Sequence, residues 1–288
     1  MTAPAPAGTI SFGGDAPVHR MGYGAMRLTG PGIWGEPDDP EAARALLRRG
    51  HEIGVDFVDT ADAYGPEVSE RLIAQAMHPY PEGYVVATKG GSVRPGQGQW
   101  VINGKPDHLR RACEDSMLRL RVDQIYLYQL HAVDPNVPLA DSVGALKDLQ
   151  DEGKIRHVGV SNVNLGQLEE ARAIVDVVSV QNRYSLSQRG SEDVLEACER
   201  YGIAFLPYFP LAAGTLTQPA GGALAEVAQN HGATVGQVAL AWLLARSPNM
   251  LPIPGTSSAD HLEENMGAAT LELSDEEFAA LDAAARAA

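Results

Sequence analysis

The stretch VDFVDTADAYG (residues 55–65) joins a short strand to an acid, a tyrosine and a turn glycine. Its alternating apolar residues predict a strand over 55–60, and EVSERLIAQAM (67–77) continues as a helix. We expect Asp59 and Tyr64 to project from the rim at which this strand ends. A strand followed by a helix is the unit of a parallel sheet, so the fold depends on whether the unit repeats.

The strand–helix unit repeats about eight times along the chain. Strands are predicted at 22–26, 55–60, 84–89, 124–131, 157–162, 177–181, 203–208 and 250–255. Helices are predicted at 40–54, 67–77, 106–120, 139–153, 165–175, 191–202, 223–232, 234–246 and 258–268. Eight such units indicate an α/β fold, a (β/α)8 TIM barrel, with residues 1–288 as a single domain. A doubly wound sheet is the alternative.

Two segments lie outside the repeat. TISFGG (9–14) and HRMG (19–22) predict an N-terminal β-hairpin that covers the floor of the barrel. DEEFAALDAAARA (275–287) predicts an extra C-terminal helix.

Composition excludes several classes of protein. The net charge of -15 and the pI of about 4.9 disfavour a partner with a phosphate backbone, so no nucleic acid is expected. The longest apolar run, VALAWLLA (238–245), is too short for a membrane span, and the N-terminus lacks the apolar core of an export signal. The only cysteines, Cys113 and Cys198, are far apart, which predicts a reducing cytoplasm and no structural metal site.

Polar residues stand where the predicted strands end. They are Asp59, Lys89, His131, Ser161, Asn162, Gln181 and Tyr208, with Tyr64 in the loop after the second strand. Taken alone, each has an ordinary interpretation: an acid caps a helix, a tyrosine packs in a loop, a histidine is satisfied in a core. Because the active sites of such barrels lie at the carboxyl ends of the strands, their coincidence there indicates one catalytic site.

Four of these residues form a chemically coherent group. A buried ammonium at Lys89 needs a carboxylate, and Asp59 on the neighbouring strand is the natural partner. Such an ammonium is expected to favour the phenolate of Tyr64 and lower its pKa. His131 either orients a carbonyl oxygen or helps to relay the proton. The group would protonate an oxygen that becomes an alkoxide, which leaves a hydride source to be found.

The sequence resembles the aldo-keto reductase superfamily in motifs that span most of the chain. They are DTADAYG (59–65), VVATK (85–89), QLH (129–131), GVSN (159–162), VQNRY (180–184) and IPGTSSADHLEEN (253–265). The resemblance implies that Tyr64 is the general acid, with Asp59 and Lys89 as its tuning pair and His131 orienting the carbonyl. It also implies that Ser161, Asn162 and Gln181 bind a nicotinamide carboxamide and that Tyr208 stacks on the nicotinamide ring.

The same resemblance implies where the rest of a dinucleotide lies. Its contacts would be Pro210, Leu211 and Gly214 at the pyrophosphate, Gly255, Thr256, Ser257, Ser258 and His261 at the adenosine phosphate, and Glu264 and Asn265 at the adenine. Many family members carry a lysine and an arginine where this chain has Gly255 and His261. NADP(H) is the expected cofactor, with NAD(H) as the alternative.

The substrate is expected to be a small-molecule carbonyl compound. Met26, Trp34 and Trp100, in loops after the first and third strands, are candidates for its pocket. GYGAMRLTGPGIWG (22–35) and AYGPEVSE (63–70), among other stretches, resemble the bacterial pyridoxal reductase branch of the superfamily, which implies reduction of pyridoxal. Two alternatives stay open: an aldolase that uses Lys89 as a Schiff-base nucleophile, and a non-catalytic NADP(H)-sensing subunit on the same fold.

Overall fold

The structure, a computed structural model, describes residues 7–212 and 222–287. The strands are β1 Thr9–Phe12, β2 Asp15–His19, β3 Tyr23–Gly24, β4 Phe57–Asp59, β5 Val85–Gly90, β6 Ser92–Val93, β7 Val101–Ile102, β8 Ile125–Leu130, β9 Ile155–Ser161, β10 Val177–Arg183 and β11 Ala204–Tyr208. The helices are α1 Pro40–Glu52, α2 Val68–Met77, α3 Pro106–Leu120, α4 Leu139–Asp151, α5 Leu165–Arg172, α6 Glu192–Tyr201, α7 Ala223–His231, α8 Val235–Arg246, α9 Ala259–Gly267 and α10 Asp275–Ala287.

Local signals explain where the helices begin. The Asp39 carboxylate accepts hydrogen bonds from the first free amides of α1, and a proline occupies the first helical position. Reciprocal side-chain and main-chain bonds form capping boxes at Asn164 before α5 and at Thr234 before α8. The predicted helices are therefore present, including the C-terminal α10, with ends that differ by a few residues.

Seven parallel strands form one curved sheet in the order β11-β10-β9-β8-β5-β4-β3. The predicted eighth strand at 250–255 is wrong as a regular strand, although this segment closes the barrel. It exchanges main-chain bonds with Phe205 of β11, while Gly22 and Gly24 donate to the carbonyls of Pro252 and Pro254. The two residues whose main-chain nitrogens face β3, Pro252 and Pro254, have no N–H to donate, so β3 donates hydrogen bonds to this segment and receives none from it. The fold is thus a (β/α)8 barrel.

The N-terminal hairpin closes the end of the barrel opposite the carboxyl ends of the strands. Its second strand is β2 and not the predicted 19–22, because Gly13 and Gly14, with φ of 59° and 84°, turn the chain in two residues. Phe12 and Val18 are fully buried, and the Phe12 ring stacks on Phe57 at 5.2 Å inside the barrel.

Polar contacts hold this hairpin to the barrel floor. Tyr126, Arg156 and His157 all bond to the Asp15 carboxylate. Partial burial opposes ionisation of Asp15, but the hydrogen bonds from Tyr126 and His157 outweigh it and lower its pKa to about 2. The floor is thereby sealed by an apolar plug and a charged rim. Within residues 7–212 and 222–287, no helix is both long and apolar enough to span a membrane.

Phe12→Ala should lower the free energy of unfolding by about 3–5 kcal/mol, because it removes a buried ring and leaves a cavity at the floor. Urea denaturation followed by circular dichroism measures the loss. Ser11→Ala, on the exposed face of the same strand, is the matched control and should change little. Equal small effects of both substitutions would show that the hairpin does not stabilise the barrel.

Candidate active site

The carboxyl ends of the strands open into a cavity of ≈ 840 Å³. Most of the predicted site residues line it: Asp59, Tyr64, His131, Ser161, Asn162, Gln181, Tyr208, Pro210, Leu211, Gly255, Thr256, His261, Glu264, Asn265, Met26 and Trp100. The sequence interpretation therefore placed sixteen residues around one space, although they come from segments spread between residues 26 and 265.

A buried ion pair lies at the inner end of this cavity. Lys89 Nζ, at 0 % exposure, donates to Asp59 Oδ2 at 2.6 Å and to the Thr60 carbonyl at 2.9 Å. It also lies 3.4 Å from the Tyr64 hydroxyl. Burial opposes the charge on Lys89, but Asp59 and Tyr64 outweigh it and raise the pKa of this lysine. Lys89 is thus held as an ammonium behind the cavity wall, in contact with the tyrosine.

Two glutamines complete the shell of the aspartate. Gln181 Nε2 and Gln129 Nε2 donate to Asp59 Oδ1 at 2.8 Å and 3.1 Å. The Gln181 amide is thereby oriented by the carboxylate at the inner end of the cavity. The sequence analysis did not select Gln129, although it stands two positions before His131 at the same strand end, where a buried polar residue is itself a signal.

Burial decides the protonation state of Tyr64. It raises the pKa of this phenol above its ordinary value, and the lowering by Lys89 is smaller. The expectation of a lowered pKa is therefore wrong, although the contribution of Lys89 has the expected sign. The turn that presents Tyr64 requires glycine next to it: Gly65 has φ of 104°, and a Cβ there would meet Val68 Cβ at 2.4 Å.

His131 stands beside the tyrosine at the end of β8. The two rings meet edge to face with centroids 6.0 Å apart. Removal from water and the nearby Lys89 cation lower the pKa of His131 to about 3, so the imidazole is neutral at neutral pH. Among the described residues its Nδ1 has no hydrogen-bond partner, although it is buried. A neutral imidazole retains one N–H that can donate to an oxygen in the cavity.

Asn162 ties three strand ends together. Its Nδ2 donates to the His131 carbonyl and to Ser161 Oγ, both at 3.0 Å, and its Oδ1 accepts from the Tyr208 hydroxyl at 2.8 Å. Asn162 has φ of 58°, a left-handed conformation that asparagine tolerates better than most residues. The hydrogen bond from the Tyr208 hydroxyl to Asn162 fixes the position of the Tyr208 side chain, which lines the cavity.

The far end of the cavity lies against the start of α9. The Ser258 side chain caps this helix by accepting from the His261 amide at 3.4 Å, and the Ser258 amide donates to Thr256 Oγ1 at 3.0 Å. The Tyr23 hydroxyl holds the Thr256 carbonyl at 2.6 Å. Hydroxyls beside a helix N-terminus suit a phosphate. Here the residues present fit the dinucleotide expected from the sequence.

Some predicted residues lie elsewhere. Ser257 and Ser258 do not line the cavity: Ser257 is exposed, and Ser258 acts as the helix cap. Trp34 is outside the cavity wall and packs its ring against Arg94 instead. Gly214 lies outside the described residues.

The cavity also has lining residues that the sequence analysis did not select. They are Gly24, Arg27, Ile33, Phe209, Thr234, Ile253 and Pro254. Arg27 directly follows the selected Met26, and a cation at a strand end was the available signal. Close packing of Gly24 on Gly255 brings the loop that carries Arg27 to this end, since a Cβ on either glycine would meet main-chain oxygen at 2.6 Å.

A closed parallel barrel with a tyrosine, a lysine, an aspartate and a histidine grouped at one cavity is the arrangement that the sequence resemblance implies for an oxidoreductase. The chain belongs to the Aldo/keto reductase family, whose profile matches residues 20–286. It is 52% identical over 96% of its length to an oxidoreductase of Schizosaccharomyces pombe, of which it covers 89%. It is 41% identical over 95% of its length to pyridoxine 4-dehydrogenase of Escherichia coli, of which it covers 97%.

Solved structures agree with this assignment. A Klebsiella pneumoniae aldo/keto reductase in complex with NADP and acetate is 31% identical, with a TM-score of 0.82 over 96% of this chain and 94% of that one. Glycerol dehydrogenase of Gluconobacter oxydans has a TM-score of 0.87 at 27% identity, with the same coverage.

Lys89→Met should cost about 3–5 kcal/mol of stability, because it leaves the Asp59 carboxylate buried without its cation. Lys89→Met combined with Asp59→Asn removes both charges and should recover part of that loss. Urea denaturation of the two variants and the parent measures the difference. A double variant that is less stable than the single one would contradict the coupling between the two side chains.

Proposed function

We propose that the protein reduces a small aldehyde or ketone with NADP(H), and that Tyr64 is the proton donor. The observation that carries this proposal is that Lys89 Nζ contacts both Asp59 Oδ2 and the Tyr64 hydroxyl at the inner end of the cavity. A bound reduced nicotinamide supplies the hydride to the carbonyl carbon. The side chains of the protein supply the proton to the carbonyl oxygen and hold that oxygen in place.

Tyr64 is suited to this step because it keeps its proton. Its raised pKa means that the phenol form is present throughout the neutral range. As the carbonyl oxygen gains negative charge it becomes basic enough to take that proton, and the Lys89 ammonium stabilises the phenolate left behind. His131, neutral because of its low pKa, donates a hydrogen bond to the same oxygen without competing as an acid.

The wider cavity supports a dinucleotide with a phosphate at its adenosine end. Ser161, Asn162 and Gln181 lie at the inner end beside Tyr208, where a carboxamide and a flat ring would sit. Thr256, His261 and Asn265 lie at the outer end. Two solved structures of Klebsiella pneumoniae aldo-keto reductase are complexes with NADP and with NADPH, which supports the same cofactor here.

Arg27 offers the cation that Gly255 lacks. A Cβ on Gly255 would lie 3.7 Å from Arg27 Cγ, so the arginine stem passes over the place where a lysine at 255 would begin. Arg27 is exposed and lines the cavity with Thr256 and His261. We therefore assign it to the adenosine phosphate, which restores a preference for NADP(H) that the glycine would otherwise weaken.

Pyridoxal is the proposed substrate. The similarity to pyridoxine 4-dehydrogenase supports it, as does the cavity mouth, where Met26, Ile33 and the 41 % exposed Trp100 present apolar surface to a flat ring. The burial and ion pair of Lys89 argue against a Schiff-base aldolase, since a nucleophilic lysine must reach the substrate as a neutral amine. Tyr64 and His131 facing the cavity argue against a pure sensor, which needs no acid.

The proposed activity is tested with the purified protein, NADPH and a panel of aldehydes that includes pyridoxal, followed by nicotinamide absorbance. Tyr64→Phe should lower kcat by about 10²–10⁴-fold, the usual contribution of a general acid, and leave the Kd for NADPH unchanged. Tyr201→Phe, which removes a hydroxyl from the outer surface, is the control. Binding of NADPH without turnover of any aldehyde would favour the sensing alternative, and borohydride trapping of substrate on Lys89 the aldolase.

Arg27→Gln should weaken NADPH binding roughly 10-fold, the loss of one charge-assisted hydrogen bond, and leave NADH binding unchanged. His261→Arg should shift the ratio in the opposite direction by adding a fixed cation. Fluorescence titration of each nucleotide measures both. Arg48→Gln, an exposed charge on the outside of α1, controls for net charge. An equal loss for NADPH and NADH would place Arg27 on a phosphate shared by both nucleotides.

A further inference from the structure

Arg94 is a nearly buried arginine whose hydrogen bonds, among the described residues, all go to main-chain carbonyls. It is 8% exposed. Its Nε donates to Gln99 O at 2.9 Å, its Nη1 to Ile33 O at 2.9 Å and Ala63 O at 3.3 Å, and its Nη2 to Gly32 O at 3.3 Å. These carbonyls belong to the loops after β3 and β4 and to the hairpin loop between β6 and β7, so one guanidinium joins three loops at the cavity mouth.

Two tryptophan rings lie against the same guanidinium. Its carbon lies 3.9 Å from the ring centroid of Trp100 and 5.5 Å from that of Trp34. The Trp100 ring meets the His131 ring at 6.3 Å with an interplanar angle of 75°. The position of Trp100 against His131 is therefore set by Arg94, whose guanidinium is nearly buried, through a cation–π contact with the Trp100 ring.

The main-chain bonds of Arg94 reach the proton donor and the pocket wall. Ala63, whose carbonyl it holds, directly precedes Tyr64. Ile33 lines the cavity and has φ of 58°, a conformation that is costly for a β-branched side chain. Such strain persists only where surrounding contacts hold the residue, and the bond from Arg94 to the Ile33 carbonyl is one of them.

We propose that Arg94 is a positioning residue that fixes Tyr64, Trp100 and Ile33 relative to one another and thereby sets turnover and selectivity for ring-shaped carbonyl substrates. It touches no reacting atom. Arginine is required because its planar fork directs several donors at carbonyls of three separate loops and lies against two aromatic rings, which the single ammonium of lysine does not do. The inference rests on the proposed carbonyl reduction for its kinetic readout only.

Arg20 provides a matched control at the other end of the barrel. It also donates to four main-chain carbonyls, those of Met250, Ala7, Leu244 and Ser247, but it lies at the floor. Arg94→Lys and Arg20→Lys remove the same kind of fork from the two ends. We compare their kcat and KM for pyridoxal and for propanal, the Kd for NADPH, the Tm, and the 19F spectrum of protein labelled with 5-fluorotryptophan.

Arg94→Lys should lower kcat/KM for pyridoxal about 10²-fold, the cost of a small misplacement at a reacting centre, with a smaller loss for propanal and an unchanged Kd for NADPH. Its 19F signals from Trp34 and Trp100 should shift, and that from Trp242 should not. Arg20→Lys should lower the Tm and leave the kinetics and the Trp34 and Trp100 signals as in the parent. Equal loss of Tm in both variants, with no change in selectivity or in these signals, would overturn the proposal.

The two proposals fail in distinguishable ways. If the parent protein reduces no aldehyde, the proposed function fails, and the 19F comparison still decides whether Arg94 positions the tryptophans. If Arg94→Lys does not fold, Trp100→Leu removes the nearer of the two rings that contact Arg94 and leaves the four carbonyl bonds in place. That variant should lose selectivity for pyridoxal over propanal at an unchanged Tm, and retained selectivity would contradict the positioning role.

Discussion

The buried ion pair between Lys89 and Asp59 is the constraint on which the site depends. An ammonium at the inner end of an apolar barrel is tolerable only with a carboxylate in contact and its remaining protons bonded. Asp59 meets the first need, and the Thr60 carbonyl and Tyr64 hydroxyl meet the second. The carboxylate in turn takes amides from Gln129 and Gln181. Four strands, β4, β5, β8 and β10, must therefore end at a common level for the charge to be satisfied.

This arrangement determines which chemistry the site favours. Lys89 stays charged and buried. Its positive charge therefore favours a phenolate at Tyr64, and its amine is not suited to act as a nucleophile. The two groups that face the cavity are both uncharged in the neutral range, because burial raises the pKa of Tyr64 and lowers that of His131. Tyr64 keeps its phenol proton, and the neutral imidazole keeps one N–H that can donate a hydrogen bond. A pair of neutral donors directed at one cavity suits an oxygen that gains negative charge during reaction.

Sequence reasoning succeeded where a local rule decides the structure. Helix caps such as Asp39 and polar residues at strand ends are local signals. The helices followed from the first kind of signal, and the grouping of Asp59, Tyr64, Lys89 and His131 in space followed from the second. It failed where distant segments determine the outcome. The ladder at 250–255 is half formed because prolines face β3, and the pKa of Tyr64 rises because burial outweighs Lys89. Arg94 carried no signal, since its partners are main-chain carbonyls of loops that only the folded chain brings together.

Arg20 and Arg94, whose hydrogen bonds within the described part of the chain all go to main-chain carbonyls, act at opposite ends of the barrel. At the floor, Arg20 joins the N-terminal segment to the chain that closes the sheet, beside the apolar plug of Phe12 and Val18. At the mouth, Arg94 joins the loops after β3 and β4, which also meet at an isolated bridge between Trp34 and Gly65, to the hairpin loop between β6 and β7. The loop after β3 holds Ile33 in a strained conformation. Loops of this kind are free to differ between barrels of one family, whereas the ion pair beneath them is bound to the strands. Substrate choice is therefore expected to depend on the loops that Arg94 joins, and proton transfer on Tyr64 beside the ion pair of Lys89 and Asp59.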